Sequence, residues 1–227
     1  MAKIRKFAAL LAVTLAGCGL LGKSYAQSTW YEEEPRTFYA GPIIGANFTQ
    51  IDGDNYAGYN KVGFNAGGIL YAHLADKVAV SMEILFSQKG ARGTFAKAIS
   101  NTGYIIQKYN INLNYAEVPV QLCFFDKRKS HFGGGLSYSQ LIGTKETAVV
   151  TPSSFPMPDF EKDYPVKKMD INFILGGSLH LYKGFFLNLR FQYSVIPLRK
   201  GANVPTGFGR TEQFSNMWTV RLMYLFI

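Results

Sequence analysis

Five ionisable residues stand where charge is hard to carry. Glu83, Glu117, Asp170, Arg190 and Arg221 each fall inside a stretch in which apolar residues recur at every second position. Two kinds of chemistry suit such a set. Carboxylates with separated pKa values can act as acid and base, or opposite charges can pair and fill a polar interior. No residue pattern puts Glu83 or Glu117 beside a nucleophile in a cleft, and no Ser/His/Asp set stands out, so no catalytic residue is assigned. His73, His131 and His180 have no Cys or His neighbour at ligand spacing, which gives no metal site and leaves them as polar residues of turns or walls. The run Gly133-Gly134-Gly135 precedes neither a helical pattern nor a Lys-Ser/Thr pair, so it reads as relief of crowding and not as a phosphate loop. No cofactor is expected.

The elements that must hold these charges are strands. Eight segments show the two-residue apolar period of half-buried strands, and no long stretch has helical period. They cover about 37–49, 59–72, 78–87, 111–125, 131–146, 166–181, 185–195 and the C-terminal stretch around 218–226. In the seventh, Phe185, Leu187, Leu189, Phe191, Tyr193 and Val195 alternate with Asn188, Arg190, Gln192 and Ser194. The eighth sets Trp218, Val220, Leu222, Tyr224 and Phe226 against Thr219, Arg221 and Met223. In the fourth, Ile111, Leu113 and Tyr115 fall on the polar phase, which predicts a bulge or a stretch above a membrane. Connections alternate long (50–58, 90–110, 147–165, 196–212) and short (73–76, 126–130, 182–184), the rhythm of an up-and-down barrel in an outer membrane. The third long connection, with Pro152, Pro156, Pro158 and Pro165, reads as irregular chain.

Alternation alone does not say which face meets the solvent. The polar face is mostly Gly, Ser, Asn and Gln with isolated charges, too small and too lightly charged for a sheet bathed in water. Small residues suit the interior of an eight-stranded barrel, which is just wide enough for side chains to fill. Only 17% of the chain is charged and 15% aromatic, against roughly 25% charged in ordinary soluble domains. A residue charged on the lipid face costs about 2–4 kcal/mol at mid-depth, and the apolar faces of the seventh and eighth segments carry none. The reading is therefore all-β: an eight-stranded antiparallel up-and-down transmembrane β-barrel over 37–227, surrounded by outer-membrane lipid. Long loops are expected outside the cell and both termini in the periplasm. In its lumen, Arg190 and Arg221 are expected to pair with Glu83, Glu117 and Asp170.

The N-terminus supports export. Lys3, Arg5 and Lys6 precede an apolar run from Phe7 to Leu21, the layout of a secretory signal peptide, with cleavage expected after Ala26. Leu15-Ala16-Gly17-Cys18 offers a competing lipoprotein cut that would acylate Cys18. Residues 27–36, an acidic and aromatic lead-in, would follow in the periplasm. Loss of residues 1–26 takes Lys3, Arg5, Lys6 and Lys23 away and lowers the formal charge from +9 to +5. That excess is too mild for a nucleic-acid partner. Cys123 would then have no disulfide partner. Lys127-Arg128-Lys129 reads as a solvated periplasmic turn, with contact to anionic headgroups as the alternative.

Four short motifs resemble the PorT-type outer-membrane β-barrel family of Bacteroidota. They are Gly41-Pro42-Ile43-Ile44-Gly45-Ala46-Asn47, Gly63-Phe64-Asn65-Ala66-Gly67-Gly68, Glu83-Ile84-Leu85-Phe86-Ser87-Gln88-Lys89-Gly90 and Tyr115-Ala116-Glu117-Val118-Pro119-Val120. The resemblance spans about 37–227 and implies an eight-stranded outer-membrane barrel without catalytic residues. It also implies a possible partner in the envelope or in a secretion system, since the founding member is associated with type IX secretion. Three roles follow: a non-enzymatic structural or interaction protein, a narrow pore for small solutes, or a soluble lipocalin-like barrel if the faces are reversed.

Overall fold

A strand with one apolar and one polar face cannot lie in lipid with a free edge, because its unpaired N–H and C=O groups would have no partner there. The sheet must close, and it does. The computed structural model describes residues 37–54, 58–93, 97–98, 105–151, 159–205 and 210–226. The expected signal peptide (1–26), Cys18 and the lead-in (27–36) lie outside these residues. Eight long strands follow one another: β1 Phe38–Asp52, β2 Lys61–Ala75, β3 Val78–Gly93, β4 Ile105–Phe125, β5 His131–Thr151, β6 Met169–Tyr182, β7 Phe185–Ser194 and β8 Glu212–Tyr224. Each pairs antiparallel with the next. β8 returns to β1, in register from Ile43 opposite Met223 to Asp52 opposite Phe214, and closes the barrel.

Short turns at 76–77, 126–130 and 183–184 share one end with the start of β1 and the finish of β8, where the Phe226 amide donates to the Ala40 carbonyl. The longer connections occupy the opposite end. There a two-residue strand Lys97–Ala98 pairs with β4, another, Arg199–Lys200, pairs with β8, and a single helical turn, α1 Phe160–Asp163, sits in the third connection.

The faces divide as the side chains require. Leu187, Leu189, Val220 and Leu222 are 40–50% exposed on the outer wall, whereas Asn188, Gln192 and Thr219 inside are 6% exposed or less. A soluble lipocalin-like barrel needs the reverse, so that reading is excluded. Phe38, Phe48, Phe132, Trp218 and Phe226 are all exposed.

Several strands run further than their sequence pattern suggests. The expected connection at 90–110 is largely strand, since β3 reaches Gly93 and β4 starts at Ile105. That expected at 147–165 begins only after Thr151. The extra length escaped notice because polarity inverts there. β4 keeps one unbroken alternation, with Tyr109, Ile111, Leu113 and Tyr115 buried in the same phase as Glu117, Gln121 and Cys123. The register between β4 and β5 slips at Gln107 and again between Asn114 and Tyr115, where the extra residue, Ile142, lies on β5, so the expected bulge falls at the end of this run but on the partner strand. Toward the long-connection end the barrel thus carries a collar with an apolar inside and Asn110, Asn112 and Asn114 on its outer phase.

Candidate functional site

The lumen is filled in three layers. At the short-turn end Ile43, Ile69, Tyr71, Leu85, Phe186 and Met223 form an apolar floor. At the other end Ile51, Ala91, Tyr109, Ile111, Leu113, Tyr115 and Leu198 form an apolar ceiling. Between them lie all five charged residues singled out from the sequence, each 2% exposed or less.

Their pairing is uneven. Both arginines converge on Glu83 of β3: Arg190 of β7 binds Glu83 Oε1, and Arg221 Nη1 of β8 donates to Glu83 Oε2 at 2.7 Å. Arg221 also donates from Nε and Nη2 to Asn188 Oδ1 at 2.9 and 2.7 Å, and Gln121 donates to Glu83 at 3.2 Å. Neither arginine has an ion pair with Glu117 or Asp170. Those two carboxylates share Lys89 of β3, whose Nζ lies 2.5 Å from Glu117 Oε1 and 3.5 Å from Asp170 Oδ2. Ser139 and Gln192 add hydrogen bonds to Glu117 at 2.9 and 3.1 Å, and Ser194 and Asn172 add bonds to Asp170 at 2.8 and 3.0 Å. The Lys89 ammonium also stands 4.8 Å from the Tyr115 ring centroid.

Lys89 completes the arithmetic. Glu83, Glu117 and Asp170 set against Arg190 and Arg221 leave one negative charge over, and a fully buried lysine cancels it. An uncompensated charge in this setting costs several kcal/mol. The signal was present in the sequence, since Glu83, Leu85, Ser87 and Lys89 hold a single phase. It was lost because the third strand appeared to stop at Ser87. A second pair, Arg199 with Glu146, was also missed. Arg199 enters the ceiling from the connection after β7 and grips Glu146 of β5 with two bonds, of 3.2 and 2.5 Å, while Tyr109 donates to Glu146 at 2.6 Å. Burial disfavours the Arg199 charge, but the hydrogen bonds and charge of Glu146 outweigh it and raise its pKa above the usual arginine value.

Glycines on the inner face make room for this packing. A β-carbon on Gly45 would stand 2.7 Å from Arg221 Cγ, so the guanidinium arm runs where a side chain would have been. Gly135, in the triple-glycine run, approaches the Val120 carbonyl so closely that a β-carbon would sit 2.0 Å from its oxygen. Beside the Glu83 cluster, the void bounded by Tyr71, Gln121, Cys123 and His131 measures about 10 Å³, room for about one water.

The lumen carboxylates Glu83, Glu117 and Asp170 are sealed among their counter-ions and do not stand open to a substrate. Among the described residues no three His, Cys, Asp or Glu side chains gather as metal ligands. His73 and His131 lie at the short-turn end of the lumen, and His180 Nε2 lies 2.6 Å from the Lys183 carbonyl oxygen. Cys123 is buried and free.

A family model described as an outer membrane protein β-barrel domain matches residues 25–199. No curated protein matches the sequence. Among solved structures, the chain is similar to Ail, the attachment invasion locus protein of Yersinia pestis, at 13% identity and a TM-score of 0.44, covering 84% of this chain and 100% of that one. It is similar to Neisserial surface protein A at 10% identity and a TM-score of 0.41, covering 84% and 98%. The N-terminal β-barrel domain of Pseudomonas aeruginosa OprF gives 9% identity and a TM-score of 0.34, covering 84% and 98%.

Proposed function

The chain belongs to the outer membrane protein β-barrel domain family, and from that premise we propose that it is a non-enzymatic, plugged barrel that holds its long connections at the cell surface for a structural or interaction role in the envelope. The observation that carries this reading is the filled lumen. Among the described residues, an apolar floor, a charge-balanced middle and an apolar ceiling closed by Arg199 and Glu146 leave no wide polar path along the axis. Conduction needs sites that an ion can enter and leave, and these charges already neutralise one another.

On this reading the short turns and both ends of the barrel domain face the periplasm. A partner role in protein secretion, as in the PorT-type family of Bacteroidota, is the finer form of the proposal and rests on the four sequence motifs.

Planar-bilayer recording of the purified protein tests the plug. Silence across the usual voltage range is expected, and reproducible conductance steps would overturn it. Crosslinking in cells tests the interaction role. A specific envelope or secretion partner supports it, while no specific neighbour together with no secretion or envelope defect on deletion counts against it.

A further inference from the structure

Below the apolar floor, the short-turn end opens into a cavity that the charge network does not reach. It measures about 310 Å³, at the lower end of small-molecule sites. Its floor is the buried pair Tyr71 and Phe186, with the Tyr71 hydroxyl sharing a 2.8 Å hydrogen bond with His131 Nε2.

Its walls are rings. Tyr39 meets His73 edge to face at 5.3 Å between centroids, and His73 meets Phe125 at 4.8 Å. These side chains share the inward phase of their strands, so the cup opens along the barrel axis and not toward the surrounding lipid.

The rim is basic. Lys77 comes from one turn, Lys127 and Lys129 from the next, and among the described residues none of the three has an ion pair. Asp76 and Asp126 share the rim, so three lysines against two aspartates leave it a net charge of +1, and the Lys127 amide at 2.7 Å ties the Asp126 carboxylate into the turn. Lys129 is held at a φ of 64°, a conformation that glycine adopts far more readily. The turn therefore keeps a cation at a position where its backbone favours glycine.

We propose that this cup binds an aromatic ring that carries a carboxylate. The ring stacks among Tyr39, His73 and Phe125, where aromatic pairs gain beyond simple burial. The carboxylate meets the lysine rim through charge-assisted hydrogen bonds. Two sources offer this chemistry, a small aromatic acid and a peptide chain ending in an aromatic residue.

The test is calorimetric titration of the full chain in zwitterionic detergent micelles. Four probes are compared: N-acetylphenylalanine, its amide, acetate, and a pentapeptide ending in phenylalanine with a free carboxylate. A Kd on the order of 1 mM is expected for N-acetylphenylalanine, given the per-atom efficiency of small ligands. The amide should bind about tenfold more weakly, the loss expected for a charge-assisted contact, and acetate should not register. Tighter binding of the peptide than of the small acid assigns the cup to a chain terminus, and the opposite order assigns it to a free acid.

Lys77, Lys127 and Lys129 lie on exposed turns, so the triple variant K77Q/K127Q/K129Q should fold normally and lose about tenfold in affinity for the acid. Equal binding of acid and amide, unchanged affinity in the triple variant, or no binding of either acid overturns the proposal. So does displacement of the acid by added anionic phospholipid, which would place these lysines at the membrane surface instead.

Discussion

The belt and the collar of this barrel are continuous in backbone and opposite in polarity. On β4, Val118, Val120 and Leu122 of the belt point outward and are 37–45% exposed, with Glu117 and Gln121 behind them. A few residues earlier on the same strand, Asn110, Asn112 and Asn114 take the outward phase, and Tyr109, Ile111, Leu113 and Tyr115 are buried at 1% or less. The strand does not change its alternation, so the surroundings must change. Apolar surface is driven inward only where water is the alternative. In lipid that drive vanishes, and the interior is free to be polar provided its groups satisfy one another. The point of inversion, between Tyr115 and Ala116, therefore marks on β4 the boundary of the lipid-facing wall.

The sharpest way to break this comparison is to unbalance the belt's interior. Glu83→Ala leaves Arg190 and Arg221 buried without an acid, which should cost about 3–5 kcal/mol and can prevent folding. Replacing all three residues by apolar side chains of similar volume should cost much less. Urea midpoints read from the folded-form gel band compare the two, and equal losses would mean that charge balance is not what holds the middle layer.

The collar should respond as a soluble core does. Leu113→Ala is expected to cost about 2–5 kcal/mol by the same readout, through lost burial and a residual cavity. The matching truncation on the outer wall, Leu187→Ala, should cost far less, because lipid fills the gap.

A charge distinguishes the outer faces. Leu189→Arg, at the middle of β7, should cost about 2–4 kcal/mol. Asn114→Arg on the outer face of the collar should be nearly neutral. Comparable losses would place both positions in one environment. The smallest effect is expected at the floor, where Tyr71→Phe removes one hydrogen bond to His131 and should cost about 1 kcal/mol.

Much of the belt could be read from the sequence because each strand there obeys one rule, bulky apolar residues on one face and small or ionic ones on the other. β7 could be traced residue by residue on that rule alone, and β8 from Trp218 to Tyr224, though its first residues from Glu212 were not read as strand. The collar could not, because Ile111, Leu113 and Tyr115 obey the opposite rule and looked like a fault in the pattern. The inward location of Glu83, Glu117, Asp170, Arg190 and Arg221 follows from phase. Their partners do not, since pairing across the lumen depends on stagger between strands far apart in the chain. Lys89 lay just past the expected end of the third strand, and Arg199 in an expected connection, so Glu146, at the end of the fifth expected strand, had no visible partner. The floor cavity escaped for the same reason: its lysines come from turns and its rings from several strands.

Spin labels placed one at a time in a Cys123→Ser background, with the protein in lipid vesicles, measure directly what each side chain meets. The account predicts that labels at 187, 189 and 222 relax with dissolved oxygen, that labels at 112 and 114 relax with a water-soluble nickel chelate, and that one at 192 responds weakly to both. Nickel-dominated relaxation at 189, or oxygen-dominated relaxation at 112, would contradict it.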